Sequence, residues 1–192
     1  MTGKPEDQIT VTRHKTFWVI ANEQHSFVNQ CAVERQARRV KTDRDVDFQC
    51  WKNAQIQRAA MVSVVFSALT LEAFINDYGI SNFSKNFFDT YLDRLSPAAK
   101  WMIIPRLKTG KQLDPQRPAI HKLSSLFKQR DKLVHHKTVT KPVSEAFNKD
   151  WLDEKHSEEA LSTVQLLVKE LAEIDQTVDV SWLEIEDSDI YA

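Results

Sequence analysis

Glycine is scarce in this chain, with three residues in 192, and only six prolines and two cysteines accompany it. Few glycines and prolines leave little material for the turns of a many-stranded sheet. Helix formers dominate the remainder, so an all-α fold is expected. Cys31 and Cys50 are too few for a disulfide framework, and neither sits in a Cys-x-x-Cys pair. Reduced thiols in a cytoplasmic protein are the expectation. The sequence also lacks Gly-x-Gly-x-x-Gly, a Walker-type phosphate loop, Gly-x-Ser-x-Gly and His-Glu-x-x-His. A di-metal bundle needs paired Glu-x-x-His motifs, and the nearest match is a lone Asp153-x-x-His156. No cofactor and no metal are therefore expected. The first residues lack the apolar core of a signal peptide. The longest greasy stretch, Ala59 to Leu71, includes Ser63, Ser67 and Thr70 and is shorter than the roughly 18–20 residues that span a bilayer. It reads as a buried helix, with no membrane partner.

Apolar residues make up 42% of the chain, enough for the core of one compact domain. The net charge is −1, which argues against a general nucleic-acid binder, but the charge is unevenly spread. Residues 100–141 carry 11 Lys/Arg against Asp114 and Asp131, and residues 142–192 carry 3 Lys/Arg against 14 acids. Either the two segments neutralise each other in the fold, or the basic one forms a local anion site.

Periodicity divides the chain into a flexible leader (1–15), a helical domain (16–178) and an acidic tail (179–192). The expected architecture is a helical bundle of about four long helices plus one or two short ones. A first helix should run from Thr16 to about Lys41, and Asp43 to Asp47 reads as a charged break. A central helix, apolar on nearly every side, should run from Phe48 to Tyr78, with Gly79 as its C-cap. Ser84 to Leu95 reads as a short amphipathic helix. Ser96-Pro97 reads as N-cap and N1 of another that stops near Pro105. A fourth long helix should start near Pro118 and carry Leu123, Leu126, Phe127 and Leu133. The last should run from a Ser157 cap to Val178, with Asp175 as its one polar exception. The tail either docks on the basic segment or stays free.

One run can carry chemistry: Leu126-Phe127-Lys128-Gln129-Arg130-Asp131-Lys132-Leu133-Val134-His135-His136-Lys137. Arg130 can hold a phosphate through a forked, permanently charged guanidinium. His135 can exchange a proton near neutral pH, and Asp131 can orient either neighbour. Together they suit cleavage of an RNA phosphodiester by its own 2′-hydroxyl without metal. Lys128, Lys132 and Lys137 are candidate RNA contacts, and His136 is a supporting candidate. Positions five apart lie about 140° apart around a regular helix, so Arg130 and His135 converge only if the helix ends or a second subunit supplies matching groups. The competing reading is a basic helix C-terminus, where Lys132, His135, His136 and Lys137 favour the dipole. Glu72 and Asn76 share one face of the central helix. They could hold Arg130 or form a polar patch at the helix end. Trp101, beside Lys100, is a candidate for stacking a base.

Arg130, Asp131 and His135 in this order resemble the Arg-x4–6-His mark of the HEPN superfamily of helical domains, with a polar residue directly after the Arg. The segment Ala68 to Asp77 resembles the buried second helix of many such proteins, and Lys100 to Pro105 is similar to a further stretch of them. The resemblance covers roughly residues 50–140. It implies a metal-independent endoribonuclease, a homodimer with two motifs facing one cleft, and service in toxin–antitoxin or phage-defence systems. Arg130 and His135 would be catalytic with Asp131 assisting, and the products would be a 2′,3′-cyclic phosphate and a 5′-hydroxyl. One toxin branch has a Tyr two residues past the His where this chain has Lys137, which weighs against a nucleotidyltransferase-type antitoxin partner. A non-catalytic helical module binding protein or nucleic acid is the alternative.

Overall fold

A computed structural model describes residues 12–135 and 151–185. The described residues contain helices and no strand. The long elements are α1 (His14–Ala37), α2 (Asp43–Asn82), α4 (Pro97–Thr109), α5 (Pro118–Val134) and α6 (Glu154–Ile174). A short α3 (Lys85–Phe87) continues as one π turn over Phe88–Leu92, and a 3-10 turn spans Ser181–Glu184.

The 40-residue α2 is the spine, about 60 Å long at 1.5 Å per residue. It begins earlier than the pattern of apolar residues predicts. Asp43 to Asp47 is its first turn, because Thr42 and Asp45 form a capping box: Thr42 Oγ1 accepts from the Asp45 N–H and the Asp45 carboxylate accepts from the Thr42 N–H. Gly79 is no C-cap but lies inside the helix, where the Phe88 ring packs too closely to leave room for a Cβ. α2 also meets the length and hydropathy of a membrane span, and more than half of that window is buried against the other helices.

α1 packs antiparallel along α2. It begins at His14, inside the expected leader, because the His14 ring is buried against Phe74 and Trp182 and its Nδ1 lies 2.9 Å from an Asp77 carboxylate oxygen. α6 runs parallel to α2: Ser157 Oγ donates to Ser63 Oγ near one end, and Tyr78 donates to Asp175 near the other at 2.7 Å. Asp153, not Ser157, caps α6, and Ser157 is fully buried. Asp175 is the C-cap of α6, which accounts for a polar residue in an apolar pattern. α5 lies antiparallel to α6, with Arg117 paired to Glu173 at one end.

α4 starts as expected, with Ser96 accepting from the Ala99 N–H and Pro97 at N1. It runs through Pro105 instead of stopping there. Gly110, at φ 73°, ends it in the left-handed conformation that a side chain disfavours. The core joins Trp18, Ile56, Leu71, Ile75, Trp101, Ile104, Leu123, Leu167, Leu171 and Trp182, all fully buried. Each such side chain contributes about 1.5–3 kcal/mol by leaving water. The start of the acidic tail takes part: Trp182 packs on Trp18 and Phe74, and Trp18 Nε1 donates to the Leu183 carbonyl. Residues 179–185 thus seat against α1 and α2, not on the basic segment.

Candidate functional site

α5 is amphipathic. Ala119, Leu123, Leu126 and Phe127 face the core, and the helix axis carries Arg130 to the edge of α2. There the guanidinium is gripped from two sides. Its Nη2 donates to Glu72 Oε2 at 3.0 Å, and its Nη1 lies 3.1 Å from Asp131 Oδ1. It sits 5.2 Å over the Phe127 ring, and its Nε is buried with no hydrogen-bond partner among the described residues. The Arg130 side chain is only 19% exposed while that of Asp131 is 57% exposed. Glu72 therefore anchors the cation from the rigid spine, and Asp131 covers it from the solvent side.

α5 ends inside the candidate motif, between Arg130 and His135. Val134 is the last helical residue, and His135 is the C-cap at φ −107°, ψ 35°, its N–H donating to the Asp131 carbonyl at 2.9 Å. The imidazole is exposed. Within one chain Arg130 and His135 share no hydrogen bond among the described contacts, in keeping with their divergence around the helix. Lys128 and Lys132 are exposed on α5, while His136 and Lys137 lie outside the described residues.

Other candidates part company. Asn76 does not reach Arg130, and its Oδ1 instead accepts from Lys100 Nζ at 2.8 Å. Trp101 stacks on Phe74, fully buried, with Nε1 donating to the Leu71 carbonyl at 3.2 Å, so it offers no surface to a base. The reason is the helical spacing of α4, which turns Lys100, Trp101, Ile104 and Pro105 inward together. The Asp153-x-x-His156 pair is a capping box: Asp153 Oδ1 accepts the His156 N–H at 3.2 Å and lies 2.6 Å from its Nδ1. Among the described residues no three His, Cys, Asp or Glu side chains are grouped to hold a metal ion.

Two buried polar clusters escaped sequence reasoning. His25 Nδ1 lies 2.9 Å from Ser157 Oγ, which donates to Ser63. Burial lowers the His25 pKa, against a smaller opposing pull from Glu158. Asp175 accepts from Tyr78 and pairs with Lys108 at 2.6 Å, tying α2, α4 and α6 at one end. Burial alone would raise the Asp175 pKa, but hydrogen bonds from Lys108, Tyr78 and Thr177 outweigh it and hold the carboxyl far below the usual range. Both clusters join residues distant in sequence, and no local motif marks them. A concavity of about 770 Å³ lies elsewhere, between α1 (Val19, Glu23, Phe27) and Leu183–Ile185. Its charged lining residues, Glu23 and Glu184, are both acids, which suits it poorly to a phosphodiester.

Comparison with protein-family models, with curated proteins and with solved structures returns no match.

Proposed function

We propose that the chain is a HEPN-type endoribonuclease that acts without metal as a homodimer, with service in toxin–antitoxin or phage defence. The observation that carries this reading is the end of α5. A guanidinium anchored by Glu72 stands five residues, about 1.4 turns, before an exposed imidazole at the C-cap. His135 would take the 2′-hydroxyl proton as the oxygen attacks phosphorus, and the P–O5′ bond would break with the 5′-oxygen taking a proton from water or from an imidazolium to leave as a hydroxyl. Arg130 would hold the charge that builds on the phosphoryl oxygens, with Asp131, exposed and on the same helix, swinging aside to admit them. Because the two side chains diverge on one helix, a second copy supplies the complementary pair across the cleft. The resulting ends are a 2′,3′-cyclic phosphate and a 5′-hydroxyl.

A second reading draws on the same contacts. Two carboxylates already face Arg130, and a neutralised arginine suits a non-catalytic binding module as a fixed structural ion pair. Incubation of structured RNA with purified protein in EDTA separates the two. Cleavage by the wild type, giving cyclic phosphate ends, and loss of at least 100-fold in Arg130→Ala and His135→Ala is the expected result on the usual scale of acid–base catalysis (about 10²–10⁴). Equal cleavage by all three proteins, or none by folded wild-type dimer across a panel of RNAs, overturns the ribonuclease reading.

A further inference from the structure

The outward face of α5 has an order that the motif alone does not use. His121, Ser125, Lys128, Lys132 and His135 follow at steps of four, three, four and three, and all five are exposed. At 100° per residue they fall within an arc of roughly 80°, one straight stripe about 21 Å long. The opposite face, Ala119, Leu123, Leu126 and Phe127, is buried, so packing holds the stripe outward. No acid stands in it. Asp131 lies to one side and faces Arg130, and Glu159 of α6 borders the stripe at Ser125, across a small concavity shared with Lys122 and Gln129.

We propose that this stripe is a track for the phosphate backbone of one nucleic-acid strand, running from the His121 end of α5 to the Arg130–His135 end. The track rests on the ribonuclease reading only for what happens at its end; binding along it stands apart. Its charge fits a polyanion, and its side chains are two lysines, two imidazoles and a hydroxyl, all groups that serve phosphate oxygens. It presents no Phe, Tyr or Trp, so it lacks the large rings that usually serve as platforms for stacked bases. Contacts confined to phosphates carry no sequence information and do not read the 2′-hydroxyl. The occupant is therefore bound without regard to base order, and a deoxyribose strand should bind as a ribose strand does. At about 3.4 Å per stacked nucleotide, 21 Å accommodates roughly six nucleotides.

The test is the fluorescence anisotropy of a labelled 12-nucleotide DNA strand between 50 and 200 mM salt, in EDTA. It uses wild type, Lys128→Gln/Lys132→Gln, and a control, Lys111→Gln/Lys169→Gln, that removes two exposed lysines elsewhere. Each single-strand phosphate contact adds about 0.7 to the slope of log affinity against log salt. The track variant should lose about 1.4 from the slope, so that its affinity falls roughly sevenfold less than wild type over this fourfold salt range. The control should keep the wild-type slope, and a 2′-O-methyl RNA strand of the same sequence, which cannot be cut through its 2′-oxygen, should compete equally. An unchanged slope in the track variant, or an equal loss in the control, overturns the proposal. Slope loss at Lys128 and Lys132 in a protein that cuts no RNA leaves the track standing and removes the ribonuclease. RNA cleavage with an unaltered slope does the reverse.

Discussion

Substituting Gly79 with Ala sets two effects against each other, and the structure decides between them. On an open helix face, Gly→Ala stabilises by about 1 kcal/mol. In α2 the added methyl carbon would meet Phe88 Cε2 at 2.5 Å, Phe88 Cδ2 at 2.9 Å and Ile104 Cδ1 at 3.2 Å. Phe88 is 3% exposed and Ile104 fully buried, so neither can swing into solvent. Forcing a methyl group into such a site costs about 1–3 kcal/mol. The net expectation is a loss of about 1 kcal/mol, with a range from neutral to about 2. In a chain of this size that lowers Tm by roughly 2–4 °C. Urea unfolding followed by tryptophan fluorescence and thermal unfolding followed by circular dichroism would both read it. The same substitution in a Phe88→Leu background should cost less than in the wild type, because the nearest ring atom, Cε2, is gone. A Gly79→Ala protein more stable than wild type by the full propensity gain would refute the close approach of Phe88 to α2.

Two further outcomes follow from the packing. Trp182→Ala should destabilise the protein by about 3–5 kcal/mol in urea unfolding, the usual range for truncating a buried tryptophan; a change under about 1 kcal/mol would mean that the 3-10 turn is not part of the core. Asp175 has a depressed folded-state pKa, so its contribution is present above the unfolded value near 3.9 and is lost as pH falls below about 4 toward the folded value. Asp175→Asn should therefore flatten the acid limb of the stability profile below about pH 4, and an acid limb that parallels the wild type would sink that assignment.

Helix existence was legible because α5 and α6 bury one stripe each at helical spacing, and the N-cap Ser96 and the N1 prolines Pro97 and Pro118 stand at their local signatures. Ends were less legible where a local signal had two meanings. Asp43 to Asp47 looks like a charged break, yet those acids favour the positive end of α2 and one of them completes a capping box. Pro105 looks like a stop, yet α4 tolerates it because packing of Trp101 and Ile104 outweighs one lost hydrogen bond. Gly79 and Gly110 are alike in sequence and opposite in use: one yields space to a ring, the other takes a positive φ. Of the candidate site, the order Arg130, Asp131, His135 could be read directly. Which of Glu72 and Asn76 faces Arg130 could not, since two positions on one helix face differ only in what packs opposite, and Lys100 claims Asn76.

The Trp182 contacts also bear on the order of events in folding. The bond from the Trp18 indole to the Leu183 carbonyl spans 165 positions, whereas α1 and α2 are neighbours in the chain. The α1–α2 hairpin can form early from short-range contacts, but the pocket among His14, Trp18 and Phe74 stays unfilled until one of the longest loops in the molecule closes. That places Trp182 among the last residues to gain protection during refolding. The hairpin must then tolerate a wet, tryptophan-sized gap for the duration of that search, a state in which proteolysis or aggregation would act on the chain.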